Sequence, residues 1–141
     1  SDRQRCRGRE LIATVAAALA GGVDAVQLRE KDLQAGALCE LARALLPHCR
    51  RHRARLLIND RIDVALAVGA DGVHLPAASF AVRDARRLLG EGACVAASSH
   101  SPEEAAAALA AGADFVVLGP IYDTPSKRAY GAPLGPPALH R

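Results

Sequence analysis

Apolar positions along the chain switch between two periods. Residues 9–20 put Leu11, Val15 and Leu19 on one helix face. The next run, 24–29, is short and apolar, and predicts a strand. Helical spacing returns over 34–52 with Leu38, Leu41, Leu45 and Leu46. The same reading predicts strands at 55–59, 72–75, 93–98 and 114–119, and helices at 61–68, near 81–89 and from 101 to about 111. Ser101-Pro-Glu-Glu opens that last helix with an N-cap serine, proline at N1 and glutamate at N3.

A short repeat joins these segments. Gly22-Val-Asp-Ala-Val-Gln-Leu28, Gly69-Ala-Asp-Gly-Val-His-Leu75 and Gly112-Ala-Asp-Phe-Val-Val-Leu118 share the pattern G-[AV]-D-x-V-x-L. Each copy follows an Ala/Leu-rich helical segment. The local physics is a helix ending at a left-handed glycine, an aspartate helping the turn, and a buried strand beginning. Repeated αβ joints imply a parallel sheet. The spacing fits an α/β fold of the TIM (β/α)8-barrel type, with a small doubly wound sheet as the alternative. No GxGxxG turn follows a first strand, so nothing supports a dinucleotide site.

Five strands and five helices are predicted in 141 residues, whereas a closed barrel takes eight strands and typically about 250 residues. The chain therefore reads as one partial barrel domain over 1–141, lacking one strand before it and two after. Such a barrel exposes two strand edges and apolar surface. It is expected to associate, as a homo-oligomer or with its missing parts.

Composition narrows the picture. Half the residues are hydrophobic but only 3% are aromatic, so the core is built from Ala, Val, Leu and Ile. Net charge is +3. The basic run Arg50, Arg51, Arg53 and Arg55 has no interleaved aromatics and reads as a solvated helix end, so no nucleic-acid partner is expected. No apolar run reaches the ~20 residues of a membrane helix. Cys6, Cys39, Cys49 and Cys94 have no CxxC spacing and read as reduced thiols, hence a cytoplasmic setting. Cys49 beside His48 and His52 reads as a helix end rather than a zinc site.

In both candidate folds function sits at the carboxyl ends of the strands, and polar residues gather there. Strand alternation turns Gln27, Arg29 and Lys31 the same way, a set suited to a di- or triphosphate or a carboxylate. The alternative is a buried Arg29 paired with Asp60 or Glu30. Asn59-Asp60 offers a hard oxygen ligand for Mg2+, and Asp60 equally suits an N-cap for the helix at 61–68. Ser98, Ser99 and His100 end the strand at 93–98. His100, just before an N-capped helix, suits a neutral acid/base. His74 reads as lining the core or the lumen floor. Against sixteen Arg the chain has two Lys, Lys31 and Lys127, both in strand-end loops where a compact ammonium can meet a phosphate.

Five ordered segments carry a family resemblance over about residues 8–135. They are Gln27-Leu-Arg-Glu-Lys-Asp32, Leu57-Ile-Asn-Asp-Arg-Ile-Asp-Val-Ala-Leu66, Gly69 to Leu75, Ser98-Ser-His-Ser-Pro-Glu-Glu-Ala105 and Gly112 to Lys127. Together they resemble the thiamine phosphate synthase/TenI family. The resemblance implies a TIM barrel and thiamine biosynthesis: a transferase joining an aminopyrimidine diphosphate to a thiazole phosphate, with release of pyrophosphate and with Mg2+. By matched position, Gln27, Arg29, Lys31 and Asn59 would hold the pyrimidine diphosphate. Asp60 would bind the metal and Ser98 would touch the diphosphate. Thr124, Ser126 and Lys127 would line a loop over the substrates. His100 and Lys127 are the candidate catalytic groups. The synthase pattern also has an acidic pair after the strand at 72–75, whereas Pro76-Ala-Ala-Ser-Phe80 has no carboxylate. That stretch is closer to the TenI-type thiazole tautomerase, in which His100 would be the acid/base and no metal is needed. A third alternative is an inactive fragment or phosphate-ligand binding module.

Overall fold

The computed structural model describes residues 1–125 and 131–140. Helices and strands alternate: α1 (Leu11–Ala20), β1 (Ala25–Leu28), α2 (Ala35–Arg51), β2 (Arg55–Asn59), α3 (Ile62–Val68), β3 (Gly72–Leu75), α4 (Val82–Leu89), β4 (Cys94–Ser99), α5 (Pro102–Ala110) and β5 (Phe115–Leu118). The strands form one sheet in the order β1-β2-β3-β4-β5, and every neighbouring pair is parallel. This is a half-barrel of the TIM type, as the repeat spacing predicts. Among the described residues no helix is long and apolar enough to cross a membrane.

The two faces of β1 to β4 are buried differently, while β5 at the sheet edge has no buried residue. Val26, Leu28, Leu56, Ile58, Val73, Leu75, Val95 and Ala97 join helix residues such as Leu19, Leu45 and Val64 in the main core. The opposite, inner face holds a second small cluster of Leu57, Cys94 and Ala96. Sheets buried on both faces read as near-continuous apolar runs, and β2 and β4 do so. Gly72 shows how tightly the inner face closes. A Cβ there would lie 1.8 Å from the Cys94 carbonyl oxygen, so β3 and β4 approach this closely only around glycine.

The repeat has a more specific role than shaping a turn. Its glycines do take positive φ: 93° at Gly22, 64° at Gly69 and 98° at Gly112. The second and third aspartates, however, reach across to the preceding strand. Asp71 accepts the Leu56 amide at 2.7 Å, and Asp114 accepts the Val95 amide at 2.7 Å. Each carboxylate thereby satisfies a backbone donor at the start of the neighbouring strand. Arg86 of α4 reinforces the second joint, donating to Ala93 O at 2.5 Å, Gly112 O at 2.8 Å and Asp114 at 2.7 Å. Burial alone would raise the Asp114 carboxyl, but the Val95 amide and the Arg86 guanidinium outweigh it and hold it below the usual carboxylate range.

Candidate functional site

At the carboxyl end of β1 the alternation continues past the strand. Val26, Leu28 and Glu30 are buried, while Gln27 is half-buried and Arg29 exposed. Glu30 does not pair with Arg29. It accepts the Ser1 hydroxyl at 2.7 Å and the Arg3 guanidinium at 3.1 Å, and Arg3 continues to Asp32. Arg29 and the exposed Lys31 form no ion pair among the described residues, so both cations remain available to an anion. They line a small cleft of about 160 Å³ with Asp2, Gln4, Glu30 and Asp32. The interleaved carboxylates make that cleft a poor phosphate site by itself. Ser1 also lies along the outer edge of β1, where its hydroxyl accepts the Arg29 amide at 3.0 Å.

The next three strand ends form a connected group. Register places Asn59 opposite His74 and His74 opposite Ala96, so all three share the inner face. Ser98, two residues beyond Ala96, faces the same way, and its oxygen lies 2.9 Å from His74 Nε2. His74 is buried, with its ring edge-on to Phe115 at a centroid distance of 6.4 Å. Burial depresses its ring below the ordinary histidine value. It is therefore an inner-face residue tied to Ser98. The signal for this was strand parity, which puts position 74 on the face of Asn59 rather than of Leu75.

Asp60 holds a left-handed backbone, φ 66°. Aspartate tolerates this region better than most residues, at a cost of about 1–2 kcal/mol. Its amide donates to His74 O at 3.0 Å, and its carboxylate accepts the Ser79 hydroxyl. The N-cap role does not materialise. α3 is preceded by Arg61, with no side-chain cap, because the Asp60 side chain is turned to the loop after β3. Ser79 was not singled out in the sequence, although it sits in a strand-end loop one turn before α4. It stands within the segment where the synthase pattern has carboxylates. Among the described residues no group of three His, Cys, Asp or Glu side chains could hold a metal ion.

His100 follows β4, and its Nδ1 lies 2.6 Å from the Gly119 carbonyl oxygen. The ring thus spans the ends of β4 and β5. Its amide donates to Glu104, and Ser101 caps α5 by accepting the Glu104 amide at 3.1 Å. Beyond β5 the chain returns on itself, Leu134 and Gly135 donating to Pro120 and Ile121. Thr124 is exposed, and its hydroxyl donates to Tyr122 O at 3.0 Å. Ser126 and Lys127 lie outside the described residues. The four cysteines are free thiols.

A parallel α/β half-barrel with polar side chains gathered at the carboxyl ends of its strands places this chain in the class of TIM-type barrel proteins, which carry their sites at that end. Within that class, the family model described as thiamine monophosphate synthase (TMP-TENI) matches residues 1–141, and the chain belongs to this family. A putative thiamine-phosphate synthase of Geobacter sulfurreducens is 57% identical over 96% of the chain and 63% of its own length. A thiamine-phosphate synthase of Chlorobium luteolum is 47% identical over 86% of the chain and 58% of its own length. A solved thiamine phosphate pyrophosphorylase from Pyrococcus furiosus superposes with a TM-score of 0.82 at 32% identity, over 94% of this chain and 63% of the other. The chain thus spans less than two thirds of each of these relatives.

Proposed function

We propose that this chain carries the pyrimidine-diphosphate side of a thiamine phosphate synthase. The reaction joins 4-amino-2-methyl-5-hydroxymethylpyrimidine diphosphate to thiazole phosphate and releases pyrophosphate. The observation that supports this reading most is the succession of polar residues along one end of the sheet. Arg29 and Lys31 follow β1 and form no ion pair among the described residues, Asn59 and Asp60 close the neighbouring β2, and Ser98 lies two strands further on in β4, bonded to His74 of β3.

In the reaction the methylene C–O bond breaks, its electron pair leaving with pyrophosphate. The thiazole nitrogen then forms the new C–N bond. The pyrimidine ring stabilises the positive charge that develops on the methylene. The protein's task is to clamp and neutralise the leaving group. Arg29 and Lys31 would supply positive charge, Gln27 and Asn59 amide contacts to the pyrimidine diphosphate, and Ser98 a hydroxyl to a phosphate oxygen. Thr124, Ser126 and Lys127 would line the loop over the substrates. His100 would keep the β4 and β5 ends together.

Two oxygen groups at Asp60 would suit Mg2+ with substrate oxygens and water completing its shell, since no group of three carboxylate, His or Cys side chains forms there among the described residues. The two are a carboxylate and the Ser79 hydroxyl, both hard oxygens, and Mg2+ at phosphate sites commonly uses one or two protein carboxylates plus substrate oxygens and water. The ion would offset charge on the departing pyrophosphate.

The test is thiamine phosphate formation from both substrates, with and without Mg2+, using the protein at the length its gene encodes. Mg2+-dependent product is expected. No turnover, alongside thiazole carboxylate phosphate isomerisation that His100→Ala abolishes, would overturn the reading in favour of a tautomerase.

A further inference from the structure

The group at the ends of β2, β3 and β4 contains one bond that the reading above leaves without a purpose, His74 Nε2 to Ser98 Oγ at 2.9 Å. A serine hydroxyl has a single proton. It can donate to an anion only if that proton is not already given to a neighbour. The bond can form in two senses. If Nε2 is unprotonated, Ser98 donates to His74 and meets a phosphate with lone pairs alone, which repels it. If Nε2 carries the ring proton, His74 donates to Ser98 and the hydroxyl proton is left for the ligand.

We propose that His74 is a positioning residue for Ser98: its Nε2–H donates to the Ser98 oxygen, so that the Ser98 hydroxyl proton is aimed at a phosphate oxygen of the substrate. This rests on the diphosphate role given to Ser98 above and adds the group that sets its polarity.

The surroundings fit a fixed donor. His74 is 7% exposed. Its backbone lies between β2 and β4 in the ladder, opposite Asn59 and Ala96. Phe115 meets the ring edge-on at 84°, which restricts its rotation. The His74 carbonyl also accepts the Asp60 amide at 3.0 Å. One residue therefore supports both the turn that presents Asp60 and the hydroxyl that would contact the diphosphate. A residue that only filled space here would be replaceable by an apolar ring.

The test uses the protein at its encoded length, with two readouts. Long-range 1H–15N correlation of the histidine rings should show His74 protonated at Nε2. Calorimetric titration with inorganic pyrophosphate and Mg2+ should show Ser98→Ala and His74→Phe each weakening binding on the order of tenfold. The double variant should be no weaker than either single one, because the two act through one bond. His74→Gln, whose amide can donate from nearly the same place, should stay within about threefold of wild type. An Nδ1-protonated ring, additive effects, His74→Phe equal to wild type, or no pyrophosphate binding by the wild type would each overturn the proposal. Neither readout requires turnover. Coupled His74 and Ser98 without thiamine phosphate formation would sink the synthase reading alone. Product formation with additive effects would sink this inference alone.

Discussion

The two ends of the parallel sheet follow different rules. At the amino ends one device is used twice: a positive-φ glycine, then an aspartate that accepts a backbone amide of the preceding strand, at Asp71 and again at Asp114. At the carboxyl ends a final leucine recurs in β1, β3 and β5, but the polar residues differ from strand to strand. Asn59-Asp60, His74 and Ser98 occur once each, and they bond to one another and to Ser79 rather than to a repeated partner. Repetition at one end serves assembly of the ladder. Departure from repetition at the other leaves polar side chains at the end where barrels of this type place their sites.

The largest effect should follow from crowding the amino end. Gly72→Ala brings a Cβ against the Cys94 carbonyl and should cost about 3 kcal/mol, the upper part of the overpacking range, read by urea unfolding. Asp71→Ala strands the Leu56 amide and should cost about 2 kcal/mol, with the same readout. Next comes acid. Burial holds the His74 ring below its ordinary value, so the unfolded chain binds more protons than the folded one below about pH 6.5. Stability is full above that pH and falls as pH drops toward the lowered folded value. His74→Gln should flatten this part of the pH–stability curve. A further loss should come as pH falls below about 4, where the unfolded aspartate takes up a proton that the depressed Asp114 carboxyl of the folded chain still refuses. The smallest effect is a gain. Ser79→Asp puts a second carboxylate beside Asp60 in place of the hydroxyl it accepts; it should lower the Mg2+ needed for half-maximal activity by roughly a few-fold and lower the melting temperature of the metal-free protein, because the two like charges repel.

The fold was legible because each helix-glycine-strand joint announces itself locally. The predicted strand at 72–75 is β3, and that at 55–59 is β2. The remaining strands differ by a residue at their ends. The aspartates were harder to read. A turn residue and a cross-strand acceptor look alike in sequence, since the amide that Asp71 meets lies fifteen positions earlier. The site was legible as strand-end positions but not as a network. Asp60 suits an N-cap by local rules, yet its left-handed backbone sends the carboxylate to Ser79, nineteen residues on. His74 reads from sequence as lining the core or the lumen floor, and alternation with the core residues Val73 and Leu75 puts it on the inner face. Its bond to Ser98 was not legible, because it depends on the register between β3 and β4.

The comparison between the two ends meets its most direct test in one pair of variants measured together for melting temperature and for kcat/KM of thiamine phosphate formation. Asp71→Ala should lower the melting temperature and leave kcat/KM of the folded protein near wild type. Asp60→Asn, which the left-handed backbone tolerates, should keep the melting temperature and lower kcat/KM by at least about tenfold. The reverse pattern, or both variants changing both quantities alike, would contradict the division between an assembling end and a chemical end.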